Sequence, residues 1–466
     1  MKNTYLDLIQ QTFYFPQDGF EVKDNYLHFN GIPLKELIER FGTPLRLTYL
    51  PKISQQIQKA KRLFSSSIEK HDYKGKYYYC YCTKSSHFAH VLDEALKNDI
   101  HLETSSAFDI DIVEKLYLNK RITKNTFIIC NGFKTREYTQ RICKLANLDF
   151  KIIPVLDNIY ELQEYEDMII NECELGIRIA AEEQPEFQLY TSRLGIRYSQ
   201  IKDFYLDKIK PNPKFKLRML HFFINSGIQD KIYYWNELGK SLKVYCELKK
   251  VCPELTALNI GGGFPVRNSL GFDYDFQYMI DEIINKVKLT CEQEGVSVPD
   301  IFTEFGSFTV AESGALIFQV LAEKQQNDSE RWYMIDNSLM TTMPDAWGIN
   351  QRFILLPINK WGNEVQRANV GGLSCDQMDY YNSEIHANEV YLPVMDKNEP
   401  LYIGFFHTGA YQESISGYGG IKHCLIPSPQ HILIDKNADG SLRYSMFADQ
   451  QKVESMMHIL GYDGMQ

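Results

Sequence analysis

KYYYCYC (76–82) and IFTE (301–304) open and close the part of the sequence that decides the fold. Between them, short apolar runs alternate with stretches whose apolar residues recur every three or four positions, the period of an amphipathic helix. The runs are KYYYCYC (76–82), IHLE (100–103), TFIIC (126–130), KIIPVL (151–156), LGIRIA (175–180), RMLHFFI (218–224), ALNIG (257–261) and IFTE (301–304). The pattern predicts strands and helices in strict alternation.

These runs are continuously apolar, which is typical of a parallel sheet with helices on both faces. Eight strand–helix units in about 250 residues favour a closed (β/α)8 barrel, with a doubly wound open sheet as the alternative. Barrel active sites form where the strands end at their carboxyl termini. The polar and glycine residues at those ends are Lys84, Glu103, Arg178, Ser226, Gly261, Gly262, Gly263 and Glu304.

The rest of the chain predicts a second, β-rich domain. Its signs are short strand-like runs such as RFILLPI and LYIGFF, separated by Gly, Pro and Asn. The amino-terminal segment contains two further strand-like runs, NYLHF and LRLTYL, which have no partner in the barrel. We therefore expect residues 1–50 to join the β domain, residues 51–325 to form the barrel and residues 326–466 to complete the β domain.

Composition narrows the function classes. The 466 residues are 44% hydrophobic and 24% charged, which indicates a globular protein. Lys and Arg total 50 against 60 for Asp and Glu, so the net charge of −10 argues against nucleic-acid or anionic-membrane partners. No stretch reads as a secretory signal or a spanning helix, and ten cysteines without framework spacing fit a reducing compartment, so we expect a cytoplasmic protein. Cys80 and Cys82 lie in a predicted strand without a second ligand pair, so we expect no metal site.

Three features of the predicted rim indicate a catalytic or cofactor-binding role. Each also has a purely structural alternative. Lys84 follows the first strand, where a buried amine can condense with an aldehyde; otherwise it is a solvated lysine. Glu304 ends the eighth strand beside the first and can keep a pyridine nitrogen protonated; otherwise it pairs with Arg178. The glycines of LNIGGGFP follow the seventh strand, where bare N–H groups and the next helix can bind phosphate; otherwise they form a tight turn.

The second domain offers GLSCDQMDYY, with Cys375, Asp376 and Asp379, and GAYQES, with Tyr411. Acidic neighbours raise the pKa of a thiol, so Cys375 suits a proton donor better than a nucleophile. The alternative is a polar loop with a buried cysteine. His407 and His423 lack metal-ligand spacing, and we assign them no role.

The motifs FGTPLRLTYL, CTKSS, LHFFINSGI, LNIGGGFP, TEFGS, GLSCD and GAYQE occur in this order. Together they resemble the pyridoxal 5′-phosphate dependent amino-acid decarboxylases, which have an alanine-racemase-like barrel and a β domain. NSLMTTMPDAWGINQRFILLPI and GAYQE are most similar to biosynthetic arginine decarboxylases.

The resemblance implies that Lys84 binds the cofactor aldehyde and that Glu304 contacts the pyridine nitrogen. The other implied cofactor contacts are Glu103, Arg178, Phe223, Ser226, Gly261, Gly262, Gly263, Gly306 and Tyr411. It also implies a homodimer with shared active sites, in which Cys375 and Asp376 reach the partner's site and Cys375 protonates the substrate carbon.

Three positions depart from the family pattern. Ser307 stands where the family has arginine, so neutral donors must hold the phosphate. Phe223 stands where histidine is usual, and its ring can stack on the cofactor but cannot form a hydrogen bond. Asn225 stands where glycine is usual.

The resemblance implies decarboxylation of L-arginine to agmatine, with Asp376 as the first candidate for the guanidinium and Asp345 as the second. The alternative for Asp345 is a helix cap. Ornithine, citrulline and diaminopimelate are rival substrates. A catalytically inactive regulatory homologue and a sugar-phosphate barrel enzyme that uses Lys84 are rivals from other classes. Lys84, Glu304, Cys375 and Tyr411 together argue against the inactive homologue, and a sugar-phosphate enzyme has no need of Cys375 and Tyr411.

Overall fold

The structure, a computed structural model, describes residues 4–181, 192–396 and 398–463. In chain order, the strands are β1 (Phe20–Lys23), β2 (Tyr26–Phe29), β3 (Ile32–Pro33), β4 (Leu45–Tyr49), β5 (Tyr77–Cys82), β6 (His101–Thr104), β7 (Ile128–Cys130), β8 (Ile152–Leu156), β9 (Cys173–Arg178), β10 (Phe215–His221), β11 (Ala257–Asn259), β12 (Asp300–Phe305), β13 (Gly314–Gln325), β14 (Arg331–Ile335), β15 (Ile354–Pro357), β16 (Val365–Arg367), β17 (Asn369–Gly371), β18 (Tyr380–Tyr381), β19 (Tyr391–Pro393), β20 (Tyr402–Phe406), β21 (Gln430–Lys436) and β22 (Leu442–Ala448).

The α-helices are α1 (Tyr5–Thr12), α2 (Leu34–Phe41), α3 (Leu50–Lys70), α4 (Ala89–Leu96), α5 (Ala107–Leu118), α6 (Arg136–Ala146), α7 (Glu161–Met168), α8 (Tyr198–Phe204), α9 (Ile232–Lys249), α10 (Phe276–Glu294), α11 (Ser307–Val310), α12 (Leu339–Thr342), α13 (Pro344–Gly348), α14 (Gln412–Ile415) and α15 (Val453–Ile459). Single helical turns cover Thr83–Ser85, Tyr205–Ile209, Ala311–Ser313 and His423–Leu425. None of the helices in the described ranges is long and apolar enough to cross a membrane.

The first of two compact units comprises residues 53–265 and 274–309 and is a closed barrel. Its strands run in the order β10-β11-β12-β5-β6-β7-β8-β9, and each neighbouring pair is parallel. Each of the eight apolar runs contributes one of these strands. The (β/α)8 prediction is therefore confirmed, and the doubly wound alternative is wrong.

Side chains inside the barrel form an apolar layer and then a polar layer. Successive strand residues point to opposite faces, so residues two apart share the interior. On β12, Phe302 belongs to the apolar cluster, and Glu304 lies beyond it at the carboxyl end. Met219 and His221 on β10 repeat this arrangement. The apolar layer fills the barrel, and the polar layer faces the carboxyl-terminal rim.

The second unit comprises residues 1–52, 266–273 and 310–466 and contains a nine-stranded sheet. Strand β4 from the amino-terminal segment lies between β13, with which it is antiparallel, and β21, with which it is parallel. The predicted union of the amino-terminal segment with the carboxyl-terminal β domain is confirmed. An apolar cluster that includes Leu47, Trp361 and Ile432 stabilises this unit.

Two expectations about chain boundaries differ from the structure. The barrel unit ends at residue 309, not 325, because GALIFQVLAEKQ forms β13 of the second unit and pairs with β4, β14 and β20.

The glycine run is not followed directly by a helix, since α10 begins only at Phe276. The Asp275 side chain accepts a hydrogen bond from the Tyr278 amide and caps that helix. The expected contribution of the next helix to phosphate binding is therefore wrong.

Candidate active site

Glu304 is the centre of the polar layer at the barrel rim. Its Oε1 accepts hydrogen bonds from Asn259 Nδ2 at 2.5 Å and from Asn131 Nδ2 at 2.8 Å. Its Oε2 lies 3.4 Å from His221 Nε2. These three partners come from the ends of β11, β7 and β10, so the closed barrel holds the carboxylate from several strands at once.

This environment keeps Glu304 ionised. Burial alone raises the pKa of a carboxyl group, but the charges of His221 and Lys84 and the hydrogen bonds from His221 and Asn131 outweigh it and lower the pKa of Glu304 to about 2. No direct ion pair joins Glu304 to Arg178 among the described residues, so the structural salt bridge considered for Glu304 is not formed.

Lys84 lies in the helical turn after β5, and its Nζ contacts Oε2 of the fully buried Glu103. The Lys84 side chain keeps 41% of its surface exposed, so it is not the buried side chain considered from the sequence. Glu103 Oε1 accepts hydrogen bonds from Asn131 Nδ2 at 3.1 Å and from Ser105 Oγ at 3.0 Å. Asn131 thus bridges the partner of Lys84 to Glu304, and one polar network contains the amine and both carboxylates.

The glycine run forms bare backbone against β12. A Cβ at Gly262 would lie 2.1 Å from the backbone oxygen of Glu304, so no larger residue fits there. The N–H of Gly261 donates to Asn259 Oδ1 at 2.9 Å. The N–H groups of Gly262 and Gly263 donate to no group in the described part of the chain. Two of the three amides are therefore available to donate hydrogen bonds to an anion.

Ser226 lies in a tight turn that packs on the glycine run. Gly227 adopts φ +74°, and a Cβ at Gly263 would lie 2.7 Å from its Cα. Nearby, the guanidinium of Arg178 is 5.9 Å from the centre of the Phe223 ring. Burial lowers the pKa of Arg178, against the charges of acidic neighbours that include Glu304 and Glu103.

Gly306 follows β12 at a close approach of two segments. A Cβ there would lie 3.0 Å from the Cβ of Ser85 and 3.3 Å from that of Cys82. Cys80 and Cys82, two residues apart on β5, share one face of the strand, and both are buried. Burial raises the pKa of both thiols, which disfavours the thiolate form that binds metals.

In the second unit, Asp345 contacts the residue that follows Tyr411. Tyr411 adopts a left-handed conformation, φ +65°, directly before α14. The next residue, Gln412, donates through Nε2 to Asp345 Oδ2 at 2.8 Å. Met343, not Asp345, is the N-cap of α13, so the helix-cap alternative is wrong. Burial raises the pKa of Asp345, and no ion pair reaches its carboxylate within the described ranges.

The loop after β17 carries Cys375 and Asp376. Asp379 shapes this loop, since its carboxylate accepts hydrogen bonds from the amides of Met340 and Ser374, both at 2.9 Å. Asp376 Oδ1 accepts from the Met378 amide at 2.8 Å. Cys375 is exposed, and a hydrogen bond with the neighbouring thiol, more than the charge of Asp376, raises its pKa.

That neighbouring thiol is Cys424, whose Sγ lies 3.3 Å from Cys375 Sγ, and His423 Nε2 is 3.9 Å from the same sulfur. The ligand atoms of these three residues lie within 4.8 Å of one another. Neither a metal site nor a role for His423 was expected from the sequence. The structure instead brings together three side chains of metal-ligating type.

Comparison with models of known protein families shows the family of this chain. The model described as "Pyridoxal-dependent decarboxylase, pyridoxal binding domain" matches residues 51–311, more than half of the chain. The chain belongs to the pyridoxal-dependent decarboxylases. The predicted resemblance, the carboxy-lyase class and the pyridoxal 5′-phosphate cofactor are thereby confirmed.

Curated relatives of this decarboxylase extend the similarity beyond the barrel. The biosynthetic arginine decarboxylase of Vibrio vulnificus (strain YJ016) is 22% identical over 92% of this chain and 85% of its own length. That of Geobacter sp. (strain M21) is 26% identical over 93% of this chain and 89% of its own.

Solved structures share the fold of the decarboxylase. The biosynthetic arginine decarboxylase SpeA from Campylobacter jejuni has a TM-score of 0.79 and 21% identity, and covers 96% of this chain and 89% of that one. A diaminopimelate decarboxylase from M. jannaschii has a TM-score of 0.80 and 18% identity, and covers 96% and 98%.

The residues of the rim fit pyridoxal 5′-phosphate. The cofactor needs an amine for its aldehyde, an anionic acceptor for its ring nitrogen and donors for its phosphate. Lys84, ionised Glu304 and the amides of Gly262 and Gly263 offer these groups on one end of one barrel. The Nδ1 of buried His221 has no hydrogen-bond partner within the described ranges, while its Nε2 faces Glu304. This unsatisfied group suits a rim that binds a polar molecule.

Sequence reasoning missed the residues that complete the decarboxylase rim. Asn131 directly follows the run TFIIC, whereas His221 and Asn259 lie within the runs RMLHFFI and ALNIG. Their shared signal was available: each stands two residues after an interior residue, namely Ile129, Met219 and Ala257.

Proposed function

We propose that the protein releases CO2 from L-arginine and yields agmatine for polyamine synthesis. The observation that supports this choice is the agreement of the curated relatives. Those from Vibrio vulnificus and Geobacter are both named biosynthetic arginine decarboxylase, and each aligns with more than nine-tenths of this chain. The fold alone does not select a substrate, because similar structures also carry the name diaminopimelate decarboxylase.

When bound, pyridoxal 5′-phosphate supplies an electron sink for the bond that decarboxylation breaks. In our proposal the Lys84 amine binds its aldehyde, and Glu103 orients that amine through their ion pair. Glu304 would accept a hydrogen bond from the protonated ring nitrogen. Its lowered pKa supports this role, because an ionised carboxylate attracts the proton and a protonated one does not.

The phosphate is proposed to lie against the glycine run. The amides of Gly262 and Gly263, the Ser226 hydroxyl, the backbone at Gly306 and the Tyr411 hydroxyl are neutral donors that replace the arginine absent at Ser307. The Phe223 ring is proposed to stack on the cofactor, since a flat apolar ring favours such contact. Arg178, which lies near Phe223, adds a positive charge to the same end of the barrel.

Asp345 and Asp376 are proposed to bind the guanidinium of the substrate. A carboxylate with a free oxygen pair can accept two parallel hydrogen bonds from a guanidinium. Asp345 is 8% exposed and has only the neutral Gln412 amide as side-chain partner, so a cation would compensate its burial. Asp376 keeps Oδ2 for such a contact, since its turn uses Oδ1.

Cys375 is proposed to return a proton to the substrate carbon after CO2 leaves. Its raised pKa supports this, because the thiol keeps its proton at neutral pH until the carbon accepts it. We further propose that the protein is a cytoplasmic homodimer in which Cys375 and Asp376 of one protomer reach the site of the other. Ten cysteines without a disulfide in the described ranges suit a reducing compartment.

The test is CO2 release by the purified full chain with pyridoxal 5′-phosphate, measured with carboxyl-labelled arginine, ornithine, citrulline and diaminopimelate. We expect arginine to give the highest kcat/KM. Rapid turnover of another of the four with no turnover of arginine would refute the substrate. If no amino acid reacts and added cofactor produces no absorbance band, the inactive regulatory homologue is the correct class.

A further inference from the structure

We propose that Cys375, His423 and Cys424 form a Zn²⁺ site, and that zinc bound there inhibits the enzyme by occupying the Cys375 sulfur. Two sulfurs and an imidazole nitrogen are the ligand types that zinc prefers. All three residues are exposed in the single protomer. The metal site stands on geometry alone, and only the inhibitory effect rests on the proposed function.

Two of the three ligand–ligand distances lie within about 0.5 Å of those around a tetrahedral zinc ion. Zn–S bonds of about 2.3 Å and a Zn–N bond of about 2.0 Å separate two sulfurs by about 3.8 Å and a sulfur from a nitrogen by about 3.5 Å. The Cys375 and Cys424 sulfurs are 3.3 Å apart, and the Cys375 sulfur is 3.9 Å from His423 Nε2. Small side-chain rotations are therefore enough to bring all three atoms onto one ion.

The backbone holds the two loops in this arrangement. Cys424 has φ +55°, a left-handed conformation that is uncommon for a residue other than glycine. The Cys375 amide lies 3.5 Å from the Cys424 sulfur and donates to it. Asn337 joins both loops, since its backbone oxygen accepts from the Leu373 amide at 3.0 Å and its Nδ2 donates to the Pro427 oxygen at 3.1 Å.

Three protein ligands leave a fourth position for water, which is the pattern of an accessible zinc site and not of a closed structural one. Binding releases the protons of the two thiols to solvent. The metal then holds the Cys375 sulfur as a thiolate, which has no proton to give. Zinc is therefore expected to act as a reversible inhibitor that a chelator removes.

The binding experiment uses the full chain under reducing conditions, with Co²⁺ as an optical probe and a chromophoric chelator as competitor for Zn²⁺. We expect one Co²⁺ per chain with a sulfur-to-cobalt absorption band. Cys424→Ser and His423→Gln should each weaken Zn²⁺ binding by about 100-fold. The control is His458→Gln, which removes an exposed histidine elsewhere and should change nothing. Absence of the band, or unchanged affinity in both ligand variants, would overturn the site.

The activity experiment separates the two parts of the proposal. In decarboxylation assays, Zn²⁺ should inhibit the natural chain, and EDTA should restore its activity. Cys424→Ser should stay active and should need an about 100-fold higher Zn²⁺ concentration for the same inhibition. Zinc that binds without inhibiting would overturn the inhibitory role. A chain that binds zinc tightly but decarboxylates none of the four amino acids would support the metal site and refute the proposed function. A Cys375–Cys424 disulfide in place of metal binding would overturn the zinc site.

Discussion

Replacing Glu304 with glutamine removes one charge from the barrel rim and leaves the side chain's shape almost unchanged. A hydrogen bond to a charged group contributes about 1.5–3 kcal/mol, so loss of the charge from the ring-nitrogen contact corresponds to a decrease in kcat of about 10- to 150-fold. Glu304→Asp keeps the charge and should recover part of this loss. An uncharged amide cannot keep the ring nitrogen protonated, and this is the physical reason for the expected defect.

The same substitution has a pH signature in the cofactor-free protein. The pKa of Glu304 falls from 4.5 to about 2 in the folded chain, which corresponds to about 3 kcal/mol of stabilisation. Because the folded pKa is the lower one, this stabilisation is present above pH 4.5 and disappears as the pH falls towards 2. Between pH 7 and pH 4 the natural chain should lose about 1 kcal/mol from this group that Glu304→Gln does not lose.

The assays are initial rates of CO2 release at saturating cofactor and urea unfolding at each pH. The matched control is Glu137→Gln, which removes an exposed carboxylate on α6 and should affect neither quantity appreciably. If Glu304→Gln retains the natural kcat with full cofactor occupancy, the proposed role of Glu304 is wrong. If its stability follows the same pH curve as the natural chain, the ionised state deduced from the His221 and Asn131 contacts is wrong.

Three further substitutions test other parts of the structure. Gly262→Ala would place a Cβ 2.1 Å from a backbone oxygen, so the affinity for the cofactor, measured by absorbance titration, should fall by at least about tenfold. Its control is Gly239→Ala, which has open space around it and should stabilise its helix by about 0.5–1 kcal/mol. Lys134→Met leaves buried Glu161 without its cation and should lower the free energy of unfolding in urea by about 3–5 kcal/mol; a loss below about 1 kcal/mol would contradict the buried pair. Asp345→Asn should raise KM for arginine by about tenfold or more in rate assays, and an unchanged KM would remove this residue from the guanidinium site.

Much of the fold could be predicted because buried parallel strands are distinctive in sequence. Continuous runs such as KIIPVL have apolar residues on both faces, and each such run became a barrel strand. The same signal misplaced the end of the barrel. The first half of β13, GALIFQV, is also apolar on both faces, so its sequence does not show that it pairs with the distant β4 and β20.

Less of the site could be predicted, because closure and long-range contacts create it. Lys84 and Glu304 could be anticipated, since strand order in a closed barrel makes β12 the neighbour of β5. Strand alternation could place Asn131 on the interior face, but its double hydrogen bond could not be predicted, because it depends on the exact projection of two carboxylates. The contact between Cys375 and Cys424 joins loops 49 residues apart, and no local spacing encodes it.

In the proposed active site, the amine of Lys84 binds the cofactor at the rim that Glu304 completes. The most direct measurement is borohydride reduction of the cofactor-loaded full chain, followed by peptide mass spectrometry. We predict one pyridoxyl-phosphate adduct, located on Lys84, and loss of the adduct in Lys84→Ala with the fold intact by circular dichroism. An adduct on a different lysine, or a full adduct yield in Lys84→Ala, would contradict the account.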